Sequence, residues 1–311
     1  SATVDSSRQF YLIIASAVLV TYWSLATSCQ ATVVRFNSNV GSFDVRMYDT
    51  ATPLTVANIL NYVNDDDFDD SIVHRADTSF GKLLDGTIIT NPFVIQGGDW
   101  SFPPGGALTQ IPSNPAVMNE PGISNLRGTM ALARVGGQVN SGTNNWFVNT
   151  GDNEFLDNVD QGFTVFGRVV HDGMEVVDQI SLMQTITIRN QFNQSLGSQF
   201  PIHGDISDGV DRDNFVVFSS VEVLNIPDGD ADFDGDVDGD DFRIWQDGFG
   251  SIDQMAADFN GDAAVDNADL AIWQNNYGTV FTGLNSVPEP STLVLLSLAL
   301  LAWRPSGRSG R

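Results

Sequence analysis

Thr32-Val33-Val34-Arg35-Phe36 and Ser42-Phe43-Asp44-Val45-Arg46-Met47-Tyr48 each alternate polar and apolar residues, and Asn39-Val40-Gly41 lies between them. Alternation puts every second side chain on one face of an extended strand, so this stretch predicts a β-hairpin. Thr52 follows as a helix cap with Pro53 at the first helical position, and Val56, Ile59, Leu60 and Val63 form one apolar face. A second helix is expected near Asp172, where Asp172 and Glu175 have capping-box spacing ahead of Val176, Val177 and Ile180. Between the helices lie short β-type runs such as Phe93-Val94-Ile95 and Trp146-Phe147-Val148, punctuated by Gly and Asn. The run from Phe215 to Val223 reads as a closing strand. Strand, strand, helix, many strands, helix, strand predicts a mainly β fold: a small barrel covered at its ends by two helices.

Composition narrows the function. The 311 residues hold 14 Lys and Arg against 39 Asp and Glu, a net charge of −25. A general nucleic-acid binder needs a basic face to neutralise phosphates, so that class is excluded. A hydrophobic content of 42% with 20 Phe supports a packed core and excludes global disorder. Cys29 is the single cysteine, so neither an intramolecular disulfide nor a Cys-based zinc site can form. His74, His171 and His203 are too far apart in sequence to suggest a His-rich metal centre.

Five blocks carry a specific resemblance. Val73-His74-Arg75 comes first, then Phe93-Val94-Ile95-Gln96-Gly97-Gly98-Asp99, then Arg127-Gly128-Thr129-Met130-Ala131-Leu132-Ala133-Arg134. Asn145-Trp146-Phe147-Val148-Asn149 is the fourth, and Phe155-Leu156-Asp157 followed by Phe163 to Val169 is the fifth. In this order they resemble the cyclophilins, most nearly the exported bacterial type. The resemblance implies an eight-stranded antiparallel barrel capped by two helices and a peptidyl-prolyl cis–trans isomerase that needs no cofactor. Its substrates would be proline-containing polypeptides. Rotation about an amide meets a barrier of about 18–20 kcal/mol because resonance shares the nitrogen lone pair. By family match, Arg75 is the cation that localises that lone pair, and its planar, permanently charged fork suits the task. Phe93, Phe147 and Leu156 match the walls of the proline pocket, with Phe155 and Phe163 at its rim. Gln96 matches the glutamine that holds the substrate backbone and orients the arginine, and Ala133 lines the groove for the residue before proline. Asn145 stands where the family usually has glutamine.

Three departures accompany the resemblance. Seventeen residues, Ala76 to Pro92, separate Arg75 from Phe93, a longer connection than is usual, and they are expected to loop over one end of the groove. Phe155 replaces the family's rim tryptophan and Phe163 a frequent histidine; loss of the indole N–H argues against tight cyclosporin binding. Gln184 to Asp213 is an expanded polar stretch with no role assigned by sequence.

Residues 228–280 contain a repeat. Asp230 to Asp241 aligns with Asp258 to Asp269, 28 residues on, and each loop leads into a matching helix start, Phe242-Arg243-Ile244-Trp245-Gln246 and Leu270-Ala271-Ile272-Trp273-Gln274. Oxygen ligands at positions 1, 3, 5 and 12 of a twelve-residue loop suit Ca2+. They are Asp230, Asp232, Asp234 and Asp241 in the first loop, and Asp258, Asn260, Asp262 and Asp269 in the second, with Asp236 and Ala264 placed to offer backbone carbonyls. Asp238 and Asp266, at position 9, could act through water. The second loop has Ala263 where the turn glycine is expected. Fourteen Asp and one Arg in residues 228–269 should repel one another without cations. Two loop–helix units without leading helices resemble a type I dockerin, which implies a structural calcium-binding module and a cohesin-like partner. Gly239-Asp240 and Asn267-Ala268 differ from the usual Ser-Thr pair, which argues against cellulosome membership.

Both chain ends read as sorting signals. Arg8 precedes an apolar run from Phe10 to Ala26, with cleavage expected after Ala31; a lipoprotein signal at Cys29 and a retained anchor are the alternatives. Val287-Pro288-Glu289-Pro290-Ser291 precedes an apolar run from Leu293 to Trp303 and then Arg304, Arg308 and Arg311. This order resembles the PEP-CTERM tail and implies an exosortase-type processing enzyme. The resulting organisation is a signal peptide at 1–31, an isomerase domain at 32–226, calcium repeats at 228–280 and a sorting tail at 287–311. The product would reach the periplasm, cell surface or exterior, with transient or permanent inner-membrane attachment through its C-terminal segment. Two alternatives to an isomerase stand: a non-catalytic proline-binding scaffold of the extracellular matrix, and a calcium-dependent docking protein with the barrel as spacer.

Overall fold

The computed structural model describes residues 30–82, 88–190, 192–251 and 253–281. Most of the expected signal peptide and all of the expected sorting tail lie outside the described residues. Gln30 and Ala31 belong to the packed chain: Ala31 is buried and its N–H donates to the Phe259 carbonyl, and the Gln30 amide donates to the Ile226 carbonyl.

The opening hairpin is β1 (Val33–Ser38) and β2 (Gly41–Met47), paired from Val33↔Arg46 to Ser38↔Gly41. Its apolar set, Val34, Phe36, Phe43, Val45 and Met47, is buried in the main core. Helix α1 (Pro53–Asn64) follows, as Pro53 predicts, but Thr52 does not cap it through its side chain. The Glu120 carboxylate does so instead, accepting from the backbone N–H of Leu54 and Thr55 and from the Thr55 hydroxyl. Helix α2 (Gly173–Ser181) begins after Asp172, again with no side-chain cap bond, and buries Val177 and Ile180.

Ten strands form one sheet. The remaining members are β3 (Arg75–Lys82), β4 (Ile88–Gly97), β7 (Thr129–Leu132), β8 (Trp146–Asn149), β9 (Val165–Val170), β10 (Gln184–Arg189), β11 (Ser195–Ile202) and β12 (Phe218–Val223). The order is β10-β11-β3-β4-β8-β7-β9-β2-β1-β12, while β5 (Trp100–Ser101) and β6 (Thr109–Gln110) pair separately. This corrects the expected eight-stranded closed antiparallel barrel. Eight strands, β3 to β12 in that order, do pair antiparallel in one run. Their ends meet at an isolated bridge, Ile72↔Val217, and not along a ladder. The outer edge of β3 at Arg75 is taken by β11 in a parallel pairing, Gln199↔Arg75, so the sheet is mixed and stays open.

The seventeen-residue insert is also corrected. It is a ladder, not a loop: β3 and β4 remain paired out to Lys82↔Ile88. The register shifts between Asp77 and Thr78, opposite Pro92, which has no N–H to offer a ladder. The polar stretch after Met183 contains the β10–β11 hairpin, which packs Ile186, Ile188 and Phe200 against Ile72, Phe215 and Val217.

Beyond β12 come α3 (Gly239–Gly248) and α4 (Asn267–Asn276), each entered through a capping box, Asp238 with Asp241 and Asp266 with Asp269. The two units brace each other reciprocally. The Trp245 indole N–H donates to the Asp266 carbonyl and the Trp273 indole N–H to the Asp238 carbonyl, both at 2.8 Å. The pair is seated on the sheet over Arg46. Polar Arg46 follows the outward alternation of β2, yet it is only 3% exposed. Its guanidinium lies 5.3 Å from the Phe233 ring and 5.5 Å from the Phe259 ring, one from each loop. Burial pulls its pKa down to about 10, against the opposing field of Asp258, Asp230, Asp269 and Asp49, so it stays charged at neutral pH. Arg168 adds an ion pair to Asp253 at 3.0 Å, and the His171 ring contacts the Ala231 carbonyl at 2.7 Å. Removing one side of a buried charge cluster leaves the other uncompensated, so Arg46→Ala is expected to cost about 3 kcal/mol. Urea unfolding checks this; an unchanged midpoint would contradict the arrangement.

Candidate active site

Register builds the site. Arg75 lies opposite Gln96 across β3 and β4, Gln96 opposite Phe147 across β4 and β8, and Phe147 opposite Ala131 across β8 and β7. Directly opposed residues project to the same face. The row therefore carries a cation, an amide and an aromatic ring across the outer face, while Ile95, Val148, Met130 and Leu132 fill the core behind it. Gly97 and Gly98 follow Gln96 because no side chain fits: a Cβ on Gly97 would meet the Trp146 ring, and one on Gly98 (φ 87°) the Asn144 carbonyl.

Arg75, Phe93, Gln96, Ala133, Phe147, Leu156 and Phe163, with Val94 and Arg134, line one cavity of about 250 Å³. Phe147 is buried and meets Phe163 edge-on at 5.7 Å. Leu156 comes from a short 3-10 turn, Glu154–Asp157, pinned by Asp157, whose carboxylate accepts from the Asn125 backbone and side-chain amides. Asn153 holds the other end, donating to the Phe93 carbonyl and to Asn149. Phe155 and Asn145 are outside the cavity lining. Phe155 is 57% exposed and stacks on Phe93 at 5.8 Å, at the rim. Asn145 accepts from the Gln96 amide at 3.4 Å, one step behind the groove.

Arg75 is half-buried, with its guanidinium carbon 5.4 Å from the Phe93 ring centroid. Its Nη1 donates to Gln96 at 3.5 Å, its Nη2 pairs with Asp77 at 2.6 Å, and its Nε donates to Gln199 at 3.2 Å. Sequence reading missed Asp77 and Gln199 because they belong to the two insertions. It also missed Arg134, which sits 4.3 Å from the Phe163 ring centroid and ties down that segment through the carbonyls of Val159, Asp160 and Gly162. Burial lowers the Arg134 pKa.

His74 precedes Arg75, and its Nδ1 is buried without a partner. Burial, assisted by the Arg75 charge, lowers its pKa to about 4. The unfolded chain takes up that proton near the ordinary value of 6.5, so the stability His74 contributes is kept above 6.5 and lost as pH falls toward 4, by up to about 3 kcal/mol. His74→Leu is expected to flatten this loss, as read from urea midpoints between pH 7.5 and 5. An equal acid sensitivity in the variant would contradict the assignment.

The sequence profile described as cyclophilin type peptidyl-prolyl cis-trans isomerase/CLD matches residues 33–196. The chain belongs to the cyclophilin-type isomerase family. It is 33% identical over 184 residues to peptidyl-prolyl cis-trans isomerase A of Dickeya dadantii, covering 58% of this chain and 87% of that protein. It is 34% identical over 160 residues to peptidyl-prolyl cis-trans isomerase B of Escherichia coli, covering 49% and 86%. A crystal structure of a Cryptosporidium parvum cyclophilin determined with the dipeptide Ala-Pro aligns at 14% identity with a TM-score of 0.41, covering 62% of this chain and 99% of that one. The cyclophilin assignment rests on the sequence matches. A second profile, the PEP-CTERM protein-sorting motif, matches residues 286–308. Among the described residues no helix is long and apolar enough to cross a membrane.

Outside the cyclophilin segment, the acidic loops show a second constellation. Asp230, Asp232 and Asp234 bring carboxylate oxygens within 4.8 Å of one another. Asp236 Oδ1 in the same loop is buried without a partner. Both loops turn at the same two places: Phe233 (φ 65°) and Gly235 (φ 98°) in the first, Gly261 (φ 66°) and Ala263 (φ 67°) in the second. Ala263 thus adopts the left-handed conformation expected of glycine. Converging hard oxygen donors with an orphaned carboxylate oxygen fit a Ca2+-type cation.

Proposed function

We propose that this isomerase turns X–Pro bonds of protein substrates in the cavity bordered by Arg75, with roles as follows. Arg75 donates toward the prolyl nitrogen and withdraws its lone pair from resonance. Phe93, Phe147 and Leu156 hold the proline ring, Phe155 and Phe163 flank the entrance, Gln96 holds the substrate backbone with Asn145 behind it, and Ala133 faces the residue before proline. The single observation that supports this most is the convergence of Arg75, Gln96 and Phe147 in one cross-strand row on a cavity of about 250 Å³. The reaction needs no cofactor. NMR exchange spectroscopy on a short X–Pro peptide tests the reading; exchange at the uncatalysed rate would leave the scaffold and docking alternatives.

The remaining organisation is part of the same proposal. An isomerase domain at 32–226 is followed by a dockerin-like module at 228–280 whose structural Ca2+ is held by Asp230, Asp232, Asp234, Asp236 and Asp241, and by Asp258, Asn260, Asp262, Ala264 and Asp269. The cation would neutralise the carboxylates and fix the loops. The module would offer a surface to a cohesin-like partner. The signal at 1–31 and the tail at 287–311 would carry the protein out of the cytoplasm, with an exosortase-type enzyme acting on the tail. The PEP-CTERM match supports that route.

A further inference from the structure

A guanidinium fork has three nitrogens, and two of those on Arg75 are held by residues that lie outside the five cyclophilin blocks. Nη2 is paired with Asp77 at 2.6 Å, and Nε donates to Gln199 at 3.2 Å, whereas Nη1 reaches Gln96 only at 3.5 Å. Asp77 stands two residues beyond Arg75 on β3, where strand periodicity returns a side chain to the same face. Gln199 is brought opposite Arg75 by the parallel β11–β3 pairing. Each insertion therefore ends on the same side chain.

We infer that Asp77 and Gln199 are positioning residues, which clamp two corners of the Arg75 fork and leave Nη1, with only its 3.5 Å contact to Gln96, to serve the prolyl site. The inference rests on the reading of Arg75 as the catalytic cation. An unclamped arginine carries rotamer entropy that is lost when it is fixed in the transition state. Clamping removes that loss beforehand, the usual advantage of a preorganised donor. Asp77 also opposes the charge of Arg75. With the two side chains 35% and 27% exposed, water screens that opposition, so holding outweighs attenuation.

The test compares steady-state isomerisation by six forms of the full chain: wild type, Arg75→Ala, Asp77→Ala, Asp77→Asn, Gln199→Ala and Gln199→Glu. Asp77→Ala and Gln199→Ala are each expected to lower kcat by about tenfold with KM within about twofold of wild type. Asp77→Asn and Gln199→Glu keep an acceptor oxygen and are expected to stay within about twofold of wild type. A fall in kcat at nearly constant KM, restored by the variants that keep an acceptor oxygen, is a pattern that a purely structural role would not produce. Wild-type kcat in both alanine variants, alongside an inactive Arg75→Ala, would overturn the clamp and keep the site. A rise in kcat in Asp77→Asn would show attenuation instead of positioning and also overturn it. An active Arg75→Ala would remove the site reading itself.

Discussion

Arg75→Ala is expected to lower kcat/KM on an X–Pro peptide by about a hundredfold to a thousandfold, the effect of deleting one preorganised donor aimed at a transition state. The expectation follows from the division of labour in the cavity. In the proposed site Phe93, Phe147 and Leu156 would hold the ring in either isomer, so they would contribute ground-state affinity. In the same proposal Arg75 would contribute a permanent charge where the twisted amide localises its lone pair. Its loss should therefore fall on kcat, with KM little changed. Arg75→Lys should recover only part of the rate, because a point charge cannot engage Asp77, Gln199 and Gln96 from three nitrogens at once. The check is saturation kinetics with NMR exchange as an independent measure. A loss below threefold in the alanine variant would remove Arg75 from the mechanism.

Chelation of divalent cations is the second large effect. Residues 228–269 concentrate fourteen Asp against a single Arg, and four carboxylates, Asp230, Asp241, Asp258 and Asp269, are buried. Burial pushes the Asp258 carboxyl up to about 7 and Asp230 up to about 6. Such groups are relieved by a cation bound beside them. Calcium at a hundred times its Kd should add about 2.7 kcal/mol to stability. Chelation should release the reciprocal Trp245 and Trp273 bonds and the rings over Arg46, read as a red shift of indole emission and a lower unfolding midpoint. Equal emission and midpoint in chelator and in millimolar calcium would dispose of the calcium module.

Local pattern made some of this legible. The β1–β2 hairpin, the start of α1 at Pro53 and the apolar faces of both helices follow from periodicity and proline geometry. Their caps do not, because Glu120 reaches α1 from a distant loop and no capping box forms at Asp172. The cavity residues could be read from their blocks because β3, β4, β8 and β7 are adjacent in the sheet, and their register fixes the row. Asn145 and Phe155 fall one step outside it. The alternation Thr185-Ile186-Thr187-Ile188 was the visible signal for β10, but pairing of β11 with β3 rests on one long-range register and left none. Arg46 is the clearest limit of pattern reading. Its outward position was readable, and its burial depends on a module two hundred residues away.

The meeting of the first and last strands also sets the order of events as the chain is made. β1 pairs on one side with β2, its immediate neighbour, and on the other with β12, where Val34 meets Val223. Synthesis delivers the N-terminal hairpin first, so its outer edge stays unsatisfied until nearly the whole sheet has emerged. Contacts this distant in sequence put folding in the slow, high-contact-order class and leave an adhesive strand edge exposed meanwhile. A peptidyl-prolyl isomerase thus depends, for its own first strand, on one of the longest waits its topology allows.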